Sequence, residues 1–246
     1  MYEQFYKNGY QIYEDVLTPA DIENYTNYLF EKVEQQNIVH GTEKLKSIGE
    51  LNTVRSPFID NPQFTNLFFS DFSRTIVKDL LGEYAILSLQ NAIVVSPNKA
   101  HHQSFYHRDV IHQDFTSSKP LSINLYYCLT DYYKENGGTV FIEKSHKMNN
   151  FPNQHRESIP NVRAGSVILF DSMIYHKAGN NTTDKTRVGV NNMFTLPFIK
   201  QQIRYPSALT PTGHKSLDRI LGFESLEHLS VKEFLNYRIR KQNDKK

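Results

Sequence analysis

At Tyr84 the chain changes its hydrophobic period, and that change limits the folds open to it more than any other feature. Short runs rich in β-branched and aromatic residues follow, at 85–89, 92–95, 122–129, 139–142, 166–170 and 188–194. Turn-forming stretches separate them: Ser96-Pro97-Asn98, Glu135-Asn136-Gly137-Gly138, Ala164-Gly165 and Gly179-Asn180-Asn181. Gly, Asn and Pro supply the backbone angles that tight reversals need. Many short strands joined in this way close into a sandwich or a barrel.

Ahead of Tyr84 the period is helical. Thr18 is placed to cap a helix, Pro19 suits its first position, and Asp21 sits near the positive end of its dipole. Ile22, Tyr25, Leu29 and Val33 then recur as one apolar stripe. Upstream, Tyr10-Gln11-Ile12-Tyr13 alternates as a short edge strand would. Residues 40–60 show no period and predict a long loop, a candidate lid. Asn61-Pro62 predicts a second helix that buries Phe64, Leu67, Phe68, Phe72, Ile76 and Leu80 and stops at Gly82. Near the C-terminus, Ser230 and Glu233 have capping-box spacing ahead of Phe234, Leu235 and Ile239. No repeat, low-complexity segment or linker divides the chain. The expectation is a single domain over 1–246, mainly β, with helices flanking a jelly-roll core.

Charge and cysteine content exclude several classes. With 28 basic against 26 acidic residues the chain carries a formal charge of +2, which is no nucleic-acid signature. Arg238, Arg240, Lys241, Lys245 and Lys246 read as a solvated terminus. Cys128 is the one cysteine, so no intramolecular disulfide forms and a reducing compartment fits. The first residues lack the basic and apolar regions of a signal peptide. No apolar stretch approaches the roughly 20 residues that span a bilayer. A cytoplasmic protein without membrane or nucleic-acid partners is expected; the oligomeric state is left open.

Two polar clusters carry the chemistry. His107-Arg108-Asp109 is one; His176, followed eleven residues later by Arg187, is the other. On a strand, residues i and i+2 share a face, so His107 and Asp109 project together and Arg108 points away. His112-Gln113-Asp114 has the same spacing, and spacing alone does not separate the two. His101 and His102 have no partner at a useful spacing and read as exposed loop residues. His176 ends a stretch that reads as a tight turn, a buried strand and a polar segment at a barrel mouth. The Gly/Asn/Thr-rich loop 177–185 is expected to return the chain antiparallel, with Arg187 on the laterally neighbouring strand, about 5 Å away. Arg187, Gly189 and Asn191 then share one face, which suits the wall of a wet cavity. A guanidinium fork matches a carboxylate. Two imidazoles and one carboxylate hold Fe(II) while leaving positions open for a chelating cosubstrate and O₂.

These residues resemble the phytanoyl-CoA dioxygenase family of Fe(II)/2-oxoglutarate oxygenases. The likeness runs from Phe5-Tyr6-Lys7-Asn8-Gly9-Tyr10 through the H-x-D cluster. It continues in Asn136-Gly137-Gly138-Thr139 and Lys144-Ser145-His146-Lys147, then Gly165-Ser166, Phe170-Asp171, His176, Asn180 and Arg187. It also covers the stretch from His112-Gln113-Asp114-Phe115 to Ser117-Ser118-Lys119-Pro120, placing the second H-x-D on a variable segment. The resemblance therefore implies a double-stranded β-helix core of the cupin type. His107, Asp109 and His176 would hold Fe(II), and 2-oxoglutarate would chelate it with its far carboxylate on Arg187. Gln103, Asn124 and Tyr126 are further candidates for cosubstrate contacts, and His112 and Gln113 for substrate contacts.

Glu143-Lys144 replaces the family's usual Pro-Gly before Ser-His, a departure that touches no ligand; His146 reads as a structural neighbour of the site. Asp109 argues against halogenase chemistry, which requires a small residue there. The reaction implied is oxidation of a small-molecule substrate with release of succinate and CO₂. A small metabolite or natural-product intermediate is favoured over an acyl-CoA, because Glu43 and Glu50 dilute the charge of Lys44 and Lys46. Two other readings remain: a noncatalytic jelly-roll binding module, and an oxidase that desaturates or forms rings with the same cofactors.

Overall fold

The computed structural model describes residues 1–98 and 104–243; His101, His102 and Gln103 lie outside them. The first part comprises α1 (Glu3–Asn8), β1 (Tyr10–Tyr13), α2 (Pro19–His40), α3 (Thr42–Ser47), β2 (Thr53–Arg55), α4 (Asn66–Phe69) and α5 (Asp71–Leu81). The β-rich part holds β3 (Ile86–Val95), β4 (Ser122–Cys128), β5 (Thr139–Ile142), β6 (Glu157–Ser158), β7 (Val167–Asp171), β8 (His176–Ala178) and β9 (Arg187–Thr195). Three helices follow, α6 (Tyr205–Ala208), α7 (Lys215–Ile220) and α8 (Val231–Asn243). Among the described residues no helix is long and apolar enough to cross a membrane.

The strands form two antiparallel sheets, a six-stranded one in the order β1-β7-β4-β9-β3-β2 and a three-stranded one in the order β6-β5-β8. The large sheet is packed on its whole outer face and on part of its inner one. Outward, Ile123, Leu125 and Tyr127 of β4 and Val188, Val190 and Phe194 of β9 pack with Tyr25 and Leu29 of α2 and Ile76, Val77 and Leu80 of α5. Inward, Tyr126 and Cys128 of β4 and Ile168 and Phe170 of β7 meet Phe141 of β5 and Ile174. This second core is small and fills only part of the space between the sheets. Burial on both faces explains why these strands read as near-continuous apolar runs.

Local chemistry delivers several expected elements. Thr18 caps α2 through a full capping box with Asp21. Gly82 ends α5 at a positive φ (89°, with ψ 172°), where an L side chain would be strained. β1 is an edge strand paired only with β7. Ser230 caps α8, donated to by Glu233 N at 3.1 Å, while the Glu233 carboxylate accepts from Leu229 N.

Other expectations are corrected. The single helix expected from Asn61 to Gly82 is three pieces: a 3₁₀ turn at Pro62–Thr65, then α4, then α5. Ser70 is extended (φ −60°, ψ 160°) and accepts from Ser73 N, so its side chain competes with the helix it would otherwise continue. Residues 40–60 are not a loop: α3 buries Leu45, and β2 pairs with β3 and buries Val54. A three-residue strand is too short to show a period. The runs 85–89 and 92–95 are one strand, β3, continuous through Gln90 and Asn91.

Gln90 is fully buried and binds three segments together. Its Oε1 accepts from Phe58 N at 3.1 Å, and its Nε2 donates to Phe64 O at 3.0 Å and Asn192 Oδ1 at 2.8 Å. Gln90→Leu leaves those partners unpaired at about 1–3 kcal/mol each. We expect a net loss of roughly 3 kcal/mol in urea unfolding, with the site described below unaffected.

Candidate active site

The ligand cluster forms where the small sheet opens. His107 makes an isolated antiparallel bridge to His176, the first residue of β8, with reciprocal backbone bonds of 3.0 and 3.1 Å. The expected strand through Asp109 is thus a single bridge. Asp109 is held instead by its N–H on Ser172 O, at 3.0 Å. His107 and Asp109 still converge, and Asp109 Oδ1 lies 3.7 Å from Nε2 of both His107 and His176. The three ligand atoms lie within 4.8 Å of one another, and no other such group occurs among the described residues. His112 and Asp114 are exposed, and Gln113 turns back to Phe115 O.

Each imidazole is oriented from behind. His107 Nδ1 faces Phe105 O at 2.9 Å and His176 Nδ1 faces Ile174 O at 3.0 Å. A carbonyl only accepts, so each Nδ1 carries the proton and each Nε2 presents its lone pair to the cluster. Burial pushes the His176 pKa below the ordinary histidine value, opposed in part by Asp109. Asp109 Oδ2 is buried with no hydrogen-bond partner. Two lone pairs and a carboxylate meet with no donor among them. A cation resolves that arrangement: two atoms each about 2.1 Å from one ion are separated by at most about 4.2 Å. The two Asp109–histidine separations of 3.7 Å lie inside that limit, and the 4.8 Å bound on the whole set exceeds it by a few tenths of an ångström.

Arg187 opens β9 and reaches the same cavity from the large sheet. The lateral pairing expected for it is corrected: β8 pairs with β5, whereas β9 pairs with β3 and β4, so the 177–185 loop crosses between sheets. Asn181 fixes the crossing, donating to Lys185 O at 2.7 Å and accepting from Thr183. Gly137 and Gly179 pass backbone to backbone there; a Cβ on Gly137 would meet Gly179 O at 2.6 Å.

The Arg187 side chain is 2% exposed, its Nε has no partner, and its guanidinium lies 4.6 Å from the Tyr132 ring centroid. Among the described residues no carboxylate forms a salt bridge with it. A buried guanidinium without an anion is costly, and a ligand carboxylate supplies one. Beside it Tyr126 and Tyr132 share a hydroxyl–hydroxyl bond of 2.8 Å.

The cavity measures about 170 Å³, and His107, Asp109, His176, Arg187 and Tyr126 all line it. Asn124 does not; it stands behind the wall, donating to Ser172 Oγ at 2.8 Å and accepting from Asn191 Nδ2 at 2.9 Å. His146 is outside the ligand cluster, packed on Gly9, and burial lowers its pKa to about 4.

The sequence reading did not assign Tyr132, Arg55 or Asn91. Arg55, Asn91, Asn191 and Tyr126 stand directly opposite one another on β2, β3, β9 and β4, as a polar row across the cavity face. Glu50 fixes Arg55 through bonds of 2.8 and 2.5 Å. With its amide oxygen toward the guanidinium, Asn91 accepts from Arg55 Nη1 at 2.6 Å. Leu89 opposite Met193 flanks the row on one side and Ile93 opposite Gly189 on the other. The alternation of Leu89, Asn91 and Ile93 along one strand face was the signal that could have revealed Asn91.

Residues 5–189 match the phytanoyl-CoA dioxygenase (PhyH) family. An uncharacterized protein of Mycobacterium tuberculosis, Rv1501, is 31% identical over 208 residues, covering 82% of this chain and 76% of the relative. The epimerase SnoN, solved in complex with Fe3+, alpha ketoglutarate and nogalamycin RO, superimposes with a TM-score of 0.61 at 15% identity. That match covers 86% of this chain and 89% of SnoN. EctD from S. alaskensis, solved with bound Fe, gives a TM-score of 0.64 at 16% identity over 80% of this chain and 75% of EctD. At those identities the structural matches establish the shared jelly-roll fold.

Gly189 tests the pocket around Arg187. A Cβ there would collide with the Tyr132 hydroxyl and approach Tyr126 Cε1 at 2.5 Å. Gly189→Ala is expected to displace both tyrosines and raise the 2-oxoglutarate concentration needed for half-saturation on the order of 100-fold. Metal binding by the variant, titrated separately, should match wild type.

Proposed function

The chain belongs to the phytanoyl-CoA dioxygenase family and is an Fe(II)- and 2-oxoglutarate-dependent enzyme that uses O₂, and from that premise we propose that it hydroxylates a small polar metabolite. In this reading the whole chain acts as one domain. His107, Asp109 and His176 hold the iron, and Arg187 holds the far carboxylate of 2-oxoglutarate. The observation that carries it is one cavity lined both by three converging ligand atoms without a donor and by a buried arginine without an anion. When bound, iron and 2-oxoglutarate supply the oxidising chemistry, with release of succinate and CO₂.

The protein's own contribution is position. Phe105 O and Ile174 O keep both imidazoles in the tautomer that leaves Nε2 free. Tyr126 and Tyr132 shape the pocket at Arg187. The polar row from Tyr126 to Arg55 favours a substrate that makes hydrogen bonds along its length, and its Glu50 partner already neutralises Arg55. A long acyl chain would leave the unpartnered Asn191 Oδ1 facing hydrocarbon, which is unfavourable for a buried polar atom. Lys44 and Lys46, considered above for coenzyme A, lie on α3 and do not line this cavity.

Anaerobic titration with Fe(II) and then 2-oxoglutarate tests the cofactor assignment through the visible charge-transfer band of the chelate. His176→Ala is expected to lose the band, and Arg187→Ala to weaken 2-oxoglutarate binding on the order of 100-fold while retaining the metal. A full band in folded His176→Ala protein would refute the ligand assignment. Once O₂ is admitted, the substrate is recognised by succinate formation that depends on it. A product carrying one added oxygen atom supports hydroxylation; a desaturated or cyclised product refutes it.

A further inference from the structure

Arg108 stands between two residues assigned to the metal and reaches neither the cavity nor the ligand atoms. Its side chain runs away from the cavity and is 7% exposed. There its fork meets only backbone carbonyls. Nε donates to Met173 O at 2.8 Å, Nη1 to Asn149 O at 3.0 Å, and Nη2 to Ser145 O at 3.0 Å and also to Met148 O. The guanidinium carbon sits 4.0 Å from the Tyr175 ring centroid. These acceptors lie on two segments, the 145–149 stretch after β5 and the turn between β7 and β8. That turn delivers His176.

The ligand segment needs such an anchor. A regular strand would set the directions of His107 and Asp109 through a ladder, but only His107 is bridged, and Asp109 has one backbone bond, to Ser172 O. The two ligand side chains therefore leave a short, irregular peptide whose orientation depends on what its middle residue grips. Arg108 grips the neighbourhood of the third ligand: Met173 is its acceptor and Tyr175 its ring partner, both within the turn leading into His176. Four carbonyls in a fixed arrangement match a planar guanidinium, whereas an ammonium is a single point donor.

We infer that Arg108 is a positioning residue for the metal centre: it ties the peptide between His107 and Asp109 to the His176-bearing turn and so holds the three ligand atoms in coordinating reach. This rests on the ligand assignment proposed above. Displacing the fork frees the Asp109 carboxylate to move relative to His176, and metal affinity falls without any ligand being removed.

Co(II) is the probe, because its absorption bands report binding without turnover. Full-length metal-free protein is titrated as wild type, Arg108→Lys, Arg108→Ala, His176→Ala and Gln90→Leu. Wild type is expected to bind one Co(II). Arg108→Lys should fold and bind Co(II) about 10- to 100-fold more weakly, while Gln90→Leu, destabilised in the outer core, binds like wild type. That split separates positioning from general loss of stability. Wild-type affinity in folded Arg108→Lys overturns the inference, as does equal weakening in Gln90→Leu. Should Arg108→Ala fail to fold, the lysine variant decides. No Co(II) binding by wild type, or undiminished binding by His176→Ala, instead overturns the ligand assignment and the inference with it.

Discussion

The backbone bridge between His107 and His176 is the contact on which the rest of the site depends. It joins the His107 segment to the first residue of β8, and it places two imidazoles with ring centroids 4.4 Å apart. Everything around it serves to keep that meeting open on one side. The inner core of Phe141, Phe170 and Ile174 packs behind the rings, and the polar row of the large sheet faces them across the cavity. A barrel filled to both ends would be more stable and would have no site.

The two buried arginines divide the electrostatic work. Arg108 is satisfied by carbonyl oxygens of the chain itself, so its charge ends in the scaffold. Arg187 has the face of Tyr132 beside it and, among the described residues, no carboxylate within salt-bridge distance, so its charge faces the cavity it lines. The same residue type ends on scaffold carbonyls in one place and faces the open cavity in the other. What separates them is the supply of acceptors: an irregular turn offers carbonyls, whereas the ladder of β9 with β3 and β4 uses its own.

Much of this was legible before any coordinates. Thr18, Pro19 and Asp21 write a helix start in local hydrogen-bond chemistry that needs no tertiary partner, and α2 begins there. The alternation in residues 10–13 and the apolar runs beyond Tyr84 likewise emerge as strands. Failures fall where local signals compete or are too short. Ser70 can cap or continue a helix, and only the packing of Phe68 and Ile76 onto the large sheet settles that it caps. β2 is three residues long and exists because β3 offers it an edge.

For the site, the sequence by itself determined which chemical groups were available: two histidines, one aspartate and an arginine at spacings that a jelly roll brings together. The i, i+2 pattern that sets Arg108 apart from His107 and Asp109 was legible too, although the peptide that realises it is irregular and held by the Arg108 fork. Spacing alone left His107-Arg108-Asp109 and His112-Gln113-Asp114 equal and the family resemblance favoured the first; the tertiary structure adds that only the first bridges to His176 and groups with it. It alone placed His176 and Arg187 on different sheets and aligned Arg55, Asn91, Asn191 and Tyr126 across four strands. Register and sheet membership arise from pairing between distant segments, and no local period records them.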